Sequence, residues 1–285
     1  MKQILILILS LVTLFTISSC DRIDPYNSKK EKTIDTNSTN TLKKKVLLVE
    51  FTGYRCGQCP PAAELAHKYK EENNGKVILM SVHSGGFAKP LTAHFVDFQN
   101  ADADLLYNIC SATNNPAAAV NFKKFAGGST IVTDFTKSNL DPKISDILKE
   151  DANISINMKL TKNNNIINLE VKSKYLVASS NSNENLVVYV VEDSIVSWQL
   201  DYRISTNNSW LDEYEHNSVL RSSLNGVVGE SLASGIIAKD TEFIKNYIYS
   251  ADVSKVNLNK IRFIACVLDK TTYEIKQVEE IKVLK

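Results

Sequence analysis

The chain has 285 residues, of which 44% are hydrophobic, and 33 basic against 32 acidic side chains give a net charge of +1. This balance gives no general attraction to nucleic acid, so a nucleic-acid partner is not expected. The length beyond about Lys43 suits two domains better than one.

The N-terminus is typical of a secretory signal. Met1 and Lys2 precede the apolar run Ile4–Ile17, which is too short and too close to the N-terminus for a membrane span. The run ends in Ile17-Ser18-Ser19-Cys20, which resembles the lipobox of bacterial lipoproteins. This resemblance implies a signal peptide over residues 1–19 and a lipidated Cys20 that anchors the protein in the membrane. An ordinary cleaved signal with a chance cysteine is the alternative.

Residues 20–42 follow as a polar segment rich in Lys, Asn, Ser and Thr. Such a segment buries too little apolar surface to offset its ordering entropy, so it is interpreted as a flexible tether. Two domains are then predicted, over residues 43–151 and 152–285.

In the first domain, apolar runs alternate with helical periodicity, which predicts an α/β domain. Strands are expected at 46–50, 77–82 and 117–122, and helices at 61–72, 102–110 and 140–149. After Asp151 a two-residue period takes over, as in Ile154, Ile156 and Met158. We therefore expect an all-β second domain, built as a sandwich of mostly antiparallel strands.

The most informative motif is Cys56-Gly57-Gln58-Cys59, which lies between a predicted strand and a predicted helix. A thiol at a helix N-terminus meets unpaired N–H groups and the positive end of the helix dipole, which favour the thiolate. The second thiol, one turn later, could attack a mixed disulfide on the first. This arrangement predicts a redox dithiol.

Two other readings of the motif stay open. Tetrahedral zinc needs four ligands, and the chain has no second such cysteine pair and no paired histidines, so no metal is expected. A purely structural disulfide is the stronger alternative, although so short a loop contributes only about 2 kcal/mol.

The residues from Val49 to Cys59 resemble the strand, loop and active-site turn of the thioredoxin superfamily. By this resemblance, Cys56 is the nucleophile, Cys59 the resolving thiol and Glu50 a buried acid that accepts the Cys59 proton. Burial would raise the Glu50 pKa toward neutrality. A solvent-facing Glu50 is the alternative.

Pro116 stands where the same superfamily has a cis-proline facing the dithiol. A trans proline that begins a strand is the alternative. Arg55 replaces the usual tryptophan, and this departure removes an aromatic platform beside Cys56.

A closer resemblance covers nearly the whole chain. The lipobox and the run from Glu50 to Pro60 resemble the outer-membrane-protein-28-related lipoproteins of Bacteroidetes, which join a thioredoxin-like domain to a β-rich domain. Residues 214–221, with Gly226, Gly229 and Glu230, resemble a motif of that second domain. The resemblance implies a cell-envelope lipoprotein, and we expect it at the outer membrane, on its periplasmic face or at the cell surface.

His216 and Arg221 are the polar residues singled out in the second domain. They could form an anion or peptide contact, but bracing of the loop between two strands is the favoured interpretation. Cys110 and Cys266 are expected to be buried, inert thiols.

Two functions follow from these patterns. The first is a membrane-tethered thiol–disulfide oxidoreductase that needs no cofactor, with protein thiols or disulfides as substrates and an electron partner in the envelope. The second is a non-catalytic binding or structural lipoprotein. An exposed, reducible Cys56 favours the first function, and a buried, permanently oxidised pair favours the second.

Overall fold

The computed structural model describes residues 32–35, 43–91, 96–204 and 210–283. The predicted signal peptide, Cys20 and most of the predicted tether lie outside the described residues. Within the tether, Lys32–Asp35 forms a short strand, β1, which pairs with a strand of the body.

The helices in the described part of the chain all precede residue 150. They are α1 (Cys59–Glu72), α2 (Ala101–Ile109) and α3 (Lys137–Lys149), with short 3₁₀ turns at Gly86–Ala88 and Leu258–Lys260. Pro60 and Pro61 stand at the start of α1, where a missing N–H costs no helical hydrogen bond. The side chain of Asn100 caps α2 by accepting a hydrogen bond from the Ala103 N–H at 2.9 Å. The predicted helices are confirmed, with shifted ends.

Strands make up most of the remaining structure. After β1 they are β2 (Val46–Thr52), β3 (Val77–His83), β4 (Ala117–Val120), β5 (Val132–Asp134), β6 (Ile154–Asn163), β7 (Ile166–Tyr175), β8 (Ser179–Glu192), β9 (Ile195–Leu200), β10 (Trp210–His216), β11 (Val219–Ser223), β12 (Glu230–Ile237), β13 (Glu242–Ser250), β14 (Ile261–Asp269) and β15 (Ile275–Lys282). The predicted β-rich character of the second half is confirmed.

The strands form three sheets among the described residues. A nine-stranded mixed sheet has the order β15-β14-β8-β11-β3-β2-β4-β5, with β12 also paired to β8. A four-stranded antiparallel sheet has the order β1-β6-β7-β13, and β9 pairs with β10 as a separate hairpin.

The predicted fold class, an α/β thioredoxin-like domain followed by an all-β domain, is wrong. The chain is mostly β, with three helices in its described part, and the nine-stranded sheet takes strands from both predicted segments. The strands of the two predicted domains join where β11 runs parallel to β3, with Val219 opposite Ser81. The Ser81 N–H donates to the Ser218 carbonyl oxygen at 2.7 Å. The sequence pattern predicts the strands of the first segment, but it does not reveal that a strand from far along the chain pairs with β3.

The hydrophobic cores lie against the faces of this nine-stranded sheet. One core contains apolar side chains of β2 and β3 together with side chains of β8 and β14 and of helix α2. A second lies between β6 and β7 and the other face of β8 and β14, and a third lies under α1 and α3. Residues 32–285 accordingly form one compact unit. The site described next lies where β2, α1 and the β9–β10 hairpin meet.

Candidate functional site

Cys56 and Cys59 form a disulfide in the turn between β2 and α1. The Cys56 N–H donates to the Gly53 carbonyl at 2.9 Å, and the Cys59 N–H donates to the Cys56 carbonyl at 3.0 Å. Cys59 is the first residue of α1, so Cys56 lies just before the helix. Only 3% of Cys56 and 2% of Cys59 are exposed. The disulfide is therefore shielded from solvent.

The shield is the end of the β9–β10 hairpin. We call residues Gln199–Arg203 the strap. The Leu200 N–H donates to the Tyr54 carbonyl at 2.8 Å, and the Tyr202 N–H donates to the Gly57 carbonyl at 3.0 Å. Alternate residues of the strap thus bind the loop that carries the disulfide, as one strand binds the edge of another.

Side chains of the strap complete the cover. Gln199 donates from Nε2 to the backbone carbonyl of Cys56 at 3.1 Å. The Tyr202 ring lies flat on Gly57, where a Cβ atom would come within 2.5 Å of ring carbons. Gly53 is equally restricted, because its Cβ would lie 2.5 Å from the Phe87 backbone. Gly57 therefore permits close approach of the strap, and Gly53 permits close approach of the segment at Phe87.

Charged groups brace the strap internally and link it to helix α1. Arg203 pairs with the buried Asp201 through two nitrogen atoms and reaches Glu64 on α1 at 2.8 Å. The hydrogen bonds from Arg203 hold the Asp201 pKa below its usual value. These residues were not predicted from the sequence. The sequence signal that could have indicated a covering segment is Gly57, because a glycine inside the dithiol turn leaves room for another segment to pack against it.

Beneath the disulfide lies a buried polar cavity of about 30 Å³, room for about two water molecules. Its lining includes Glu50, Cys59, His83, Tyr214 and His216. Burial raises the Glu50 pKa to about 8, so this carboxyl is mostly protonated at pH 7. Within the described part of the chain, Glu50 Oε1 and His83 Nδ1 have no hydrogen-bond partner. The predicted burial of Glu50 beside Cys59 is therefore found.

The two histidines that line this cavity belong to an aromatic cluster whose rings meet edge-on or at a tilt. The His216 ring centre lies 4.7 Å from that of Phe98, 4.9 Å from that of Tyr214 and 5.5 Å from that of His83. Burial lowers the His216 pKa to about 4 and lowers that of His83 well below its usual value. Both rings are neutral at pH 7, and His216 makes a 3.2 Å hydrogen bond with the Trp198 carbonyl.

Arg221 has structural partners. It forms an ion pair with Glu192 at 3.5 Å and donates to the Lys255 carbonyl at 3.2 Å. Together with the buried His216, it braces the segments around β11. An anion or peptide contact by this pair of residues stays a prediction.

Pro116 follows a cis peptide bond from Asn115. The Asn115 amide donates to the Thr52 carbonyl at 2.9 Å and to the Ser84 carbonyl at 3.1 Å, so the proline lies beside the end of β2. Arg55 donates to the Gly86 carbonyl at 3.5 Å. A role of Pro116 in shaping a substrate groove stays a prediction.

Cys110 and Cys266 are free, buried thiols, as predicted. They belong to one core, although the sequence assigned them to different domains. Burial raises the Cys110 pKa to about 12 and raises that of Cys266 as well. Among the described residues, no group of three or more His, Cys, Asp or Glu side chains could hold a metal ion. The same residues include no helix with the length and apolarity to cross a membrane.

Replacing Gly57 by alanine is expected to push the Tyr202 ring off the loop, because the new Cβ would overlap the ring. Reduction of the Cys56–Cys59 disulfide by dithiothreitol should then accelerate at least tenfold in the folded protein. The rate is measured by quenching with a maleimide and counting labelled thiols by mass spectrometry. Gly86→Ala is the matched control, since a Cβ there meets nothing within 4 Å. Equal rates of disulfide reduction in the two variants would contradict the claim that Tyr202 covers the disulfide loop.

These features define a β-rich protein with a disulfide enclosed under its own hairpin. The family model for outer membrane protein Omp28 matches residues 103–285, and the chain belongs to this family. Membership assigns it to the cell envelope, at the outer membrane. The predicted family and location are thereby confirmed. No curated protein sequence matches the chain significantly.

Three solved structures are similar to this chain to different degrees. HBP35 of Porphyromonas gingivalis is 21% identical, with a TM-score of 0.61, over 85% of this chain and 76% of that one. A domain of the outer membrane lipoprotein Omp28 from Porphyromonas gingivalis is also 21% identical and covers 47% of this chain and 89% of its own, with a TM-score of 0.30. Protein AGR_C_4864 from Agrobacterium tumefaciens is 12% identical over 84% of this chain and 95% of its own, with a TM-score of 0.49. With a TM-score of 0.61, the likeness to HBP35 supports the fold.

Proposed function

We propose that this protein is a lipid-anchored, non-catalytic lipoprotein of the outer membrane that acts by binding or as a structural component. The observation that carries the proposal is the burial of both Cys56 and Cys59 under the strap. Thiol–disulfide exchange requires in-line access of an attacking thiolate to a sulfur atom. A disulfide covered in this way acts as a structural crosslink in the turn between β2 and α1.

A reductase assay tests this function. The folded lipoprotein is added to insulin and dithiothreitol, and insulin reduction is followed by turbidity. We expect the parent and Cys56→Ser to give the same rate as buffer. A rate that the parent raises and Cys56→Ser abolishes would overturn the non-catalytic role.

One observation favours thiol–disulfide oxidoreductase activity as a second candidate. Glu50 lines the same cavity as Cys59, and burial raises its pKa to about 8, so the ionised fraction of this carboxylate is a proton acceptor available near neutral pH. The Cys56 thiolate would attack a protein disulfide and release one substrate thiolate. Cys59, after giving its proton to Glu50, would attack Cys56, release the second substrate thiol and re-form the disulfide. An envelope dithiol would then reduce the Cys56–Cys59 disulfide by exchange, supplying two electrons and two protons and itself becoming a disulfide.

This second candidate predicts a trapped intermediate. Cys59→Ala lacks the resolving thiol, so covalent adducts should accumulate on Cys56 in cells. The double variant Cys56→Ser/Cys59→Ala is the control that cannot form them. Adducts are read from non-reducing gels and mass spectrometry. A Cys59→Ala variant with no more adducts than the double variant would count against the oxidoreductase.

The anchor is proposed at Cys20, outside the described residues. Cys20→Ser is expected to remove lipid attachment and move the protein from the membrane fraction to the soluble fraction, because the polar segment 20–42 offers no other anchor. Fractionation after a high-salt wash measures this, with the parent as the retained control. A variant that stays in the membrane fraction would contradict the proposal.

A further inference from the structure

Strand β13 is the last strand of the four-stranded sheet. Its nine residues pair on one side with β7, from Glu242 to Ser250, without a break in register. In the described part of the chain no strand pairs with its other side, and no hydrogen bond reaches that side of its backbone. Every second N–H and carbonyl group of β13 therefore points to a position that a further strand could fill.

This edge lacks the features that keep exposed strands apart. Proteins protect such edges with proline, with bulges or with charged side chains. The sequence of β13 contains no proline, and its ladder with β7 runs without a bulge. Its two charged residues are already paired, Lys245 with Glu230 of β12 at 2.9 Å and Glu242 with Lys172 of β7 at 3.6 Å. Neither charge therefore stands alone to repel an approaching strand.

One face of β13 exposes two isoleucines. Ile244 and Ile248 are 53% and 71% exposed, and the exposed Asn246 lies between them on the same face. Large apolar side chains on an open edge strand are typical of a site of strand pairing. A further strand with apolar residues opposite these two positions would shelter them from water.

The sequence of β13 is complementary to itself. In a symmetric antiparallel pair of two copies, one residue lies on the two-fold axis opposite its own copy. With Asn246 on the axis, all nine residues pair, Ile244 lies opposite Ile248, and Lys245 lies opposite Tyr247. With Lys245 on the axis, two lysines would oppose each other, which is destabilising. The register centred on Asn246 is therefore favoured.

We propose that β13 is the interface of a symmetric homodimer, in which the β13 strands of two copies of this chain pair antiparallel about Asn246. The two four-stranded sheets then join edge to edge into one continuous sheet. A second copy fits this edge because each copy supplies both the open backbone groups and the complementary row of side chains. The interface goes beyond the function proposed above and uses no residue of the disulfide site.

Cysteine cross-linking of the full-length lipoprotein in detergent tests the register. Opposite residues of an antiparallel pair have Cα atoms about 4.5–5.5 Å apart, within the range of about 4.4–6.8 Å that a disulfide requires. We expect Asn246→Cys to form disulfide-linked dimers under mild oxidation at least tenfold faster than Ile248→Cys. Ile248→Cys is the matched control, because the two copies of position 248 would lie about 14 Å apart along the strand. If Asn246→Cys does not fold, a mixture of Ile244→Cys and Ile248→Cys replaces it, and these two should link to each other.

Sedimentation of the lipoprotein in density-matched detergent tests the interface without added cysteines. We expect the parent to dimerise and Ile248→Lys to weaken the dimer at least tenfold, because a lysine replaces one member of each apolar pair. Ile166→Lys is the matched control and should dimerise like the parent. Ile166 is also exposed and lies opposite Ser250 on the same face, but it belongs to β7, one strand away from the edge.

Three results would overturn the proposal. The first is equal cross-linking of the two cysteine variants, and the second is an equal loss of dimer in the two lysine variants. The third is a parent that stays monomeric at every concentration, which would leave the β13 edge to a different polypeptide. Because neither experiment uses a reductant, reductase activity in the insulin assay would leave these results unaffected.

Discussion

Glu50→Gln is expected to stabilise the folded protein above pH 6. Burial raises the Glu50 pKa from 4.5 to about 8, so the folded state keeps a proton that the unfolded state loses. Below pH 4.5 both states are protonated and the carboxyl carries no penalty. As the pH rises from 4.5 to about 8, ionisation favours the unfolded chain, and stability falls.

Glutamine has nearly the same shape and no charge, so it removes this penalty. One pKa unit corresponds to about 1.4 kcal/mol, and we expect a gain of about 2–4 kcal/mol at pH 8 that disappears toward pH 4.5. Urea unfolding of the parent and variant at pH 4.5, 6 and 8 measures the difference. Glu71→Gln, on the exposed side of α1, controls for the loss of one negative charge. A gain that does not change with pH would contradict a buried, protonated Glu50.

Gly229→Ala is expected to be among the most damaging single substitutions. Gly229 has φ +70°, and a Cβ there would lie 2.1 Å from the Leu186 carbonyl oxygen on β8. A backbone atom in a central strand cannot move aside as a side chain can. We expect a loss of more than about 4 kcal/mol, or failure to fold.

Gly226→Ala is the matched control for this effect. Gly226 also has a positive φ of +80°, but a Cβ there meets nothing within 4 Å. Its substitution should cost only the left-handed backbone, about 1–2 kcal/mol. Thermal and urea unfolding compare the two variants. Similar losses would show that close contact with β8 does not explain the glycine at position 229.

Local structure was predictable because it depends on local patterns. The alternation of Ile154, Ile156 and Met158 predicts β6, and the apolar run at Val46 predicts β2, since strand periodicity is a property of neighbouring residues. The burial of Glu50 followed from its place in that run. These inferences needed no knowledge of distant segments.

The pairing of segments was not predictable in the same way. The parallel contact of β11 with β3 joins residues far apart in sequence and leaves no periodic signal in either strand. For the same reason the strap was missed: Asp201, Tyr202 and Arg203 form a short polar stretch without a motif. A family resemblance identified the envelope lipoprotein correctly, but it misled the assignment of fold class.

The exposure of the disulfide in the folded protein is the most direct test of the proposed role. The folded lipoprotein is incubated with dithiothreitol at pH 7, samples are quenched with a maleimide, and labelled cysteines are identified by mass spectrometry. Cys110 and Cys266, which are buried thiols, report unfolding if they become labelled. We predict that Cys56 and Cys59 stay oxidised for hours and are labelled only after urea is added. Reduction within minutes, with Cys56 labelled and Cys110 and Cys266 protected, would contradict a covered, structural disulfide.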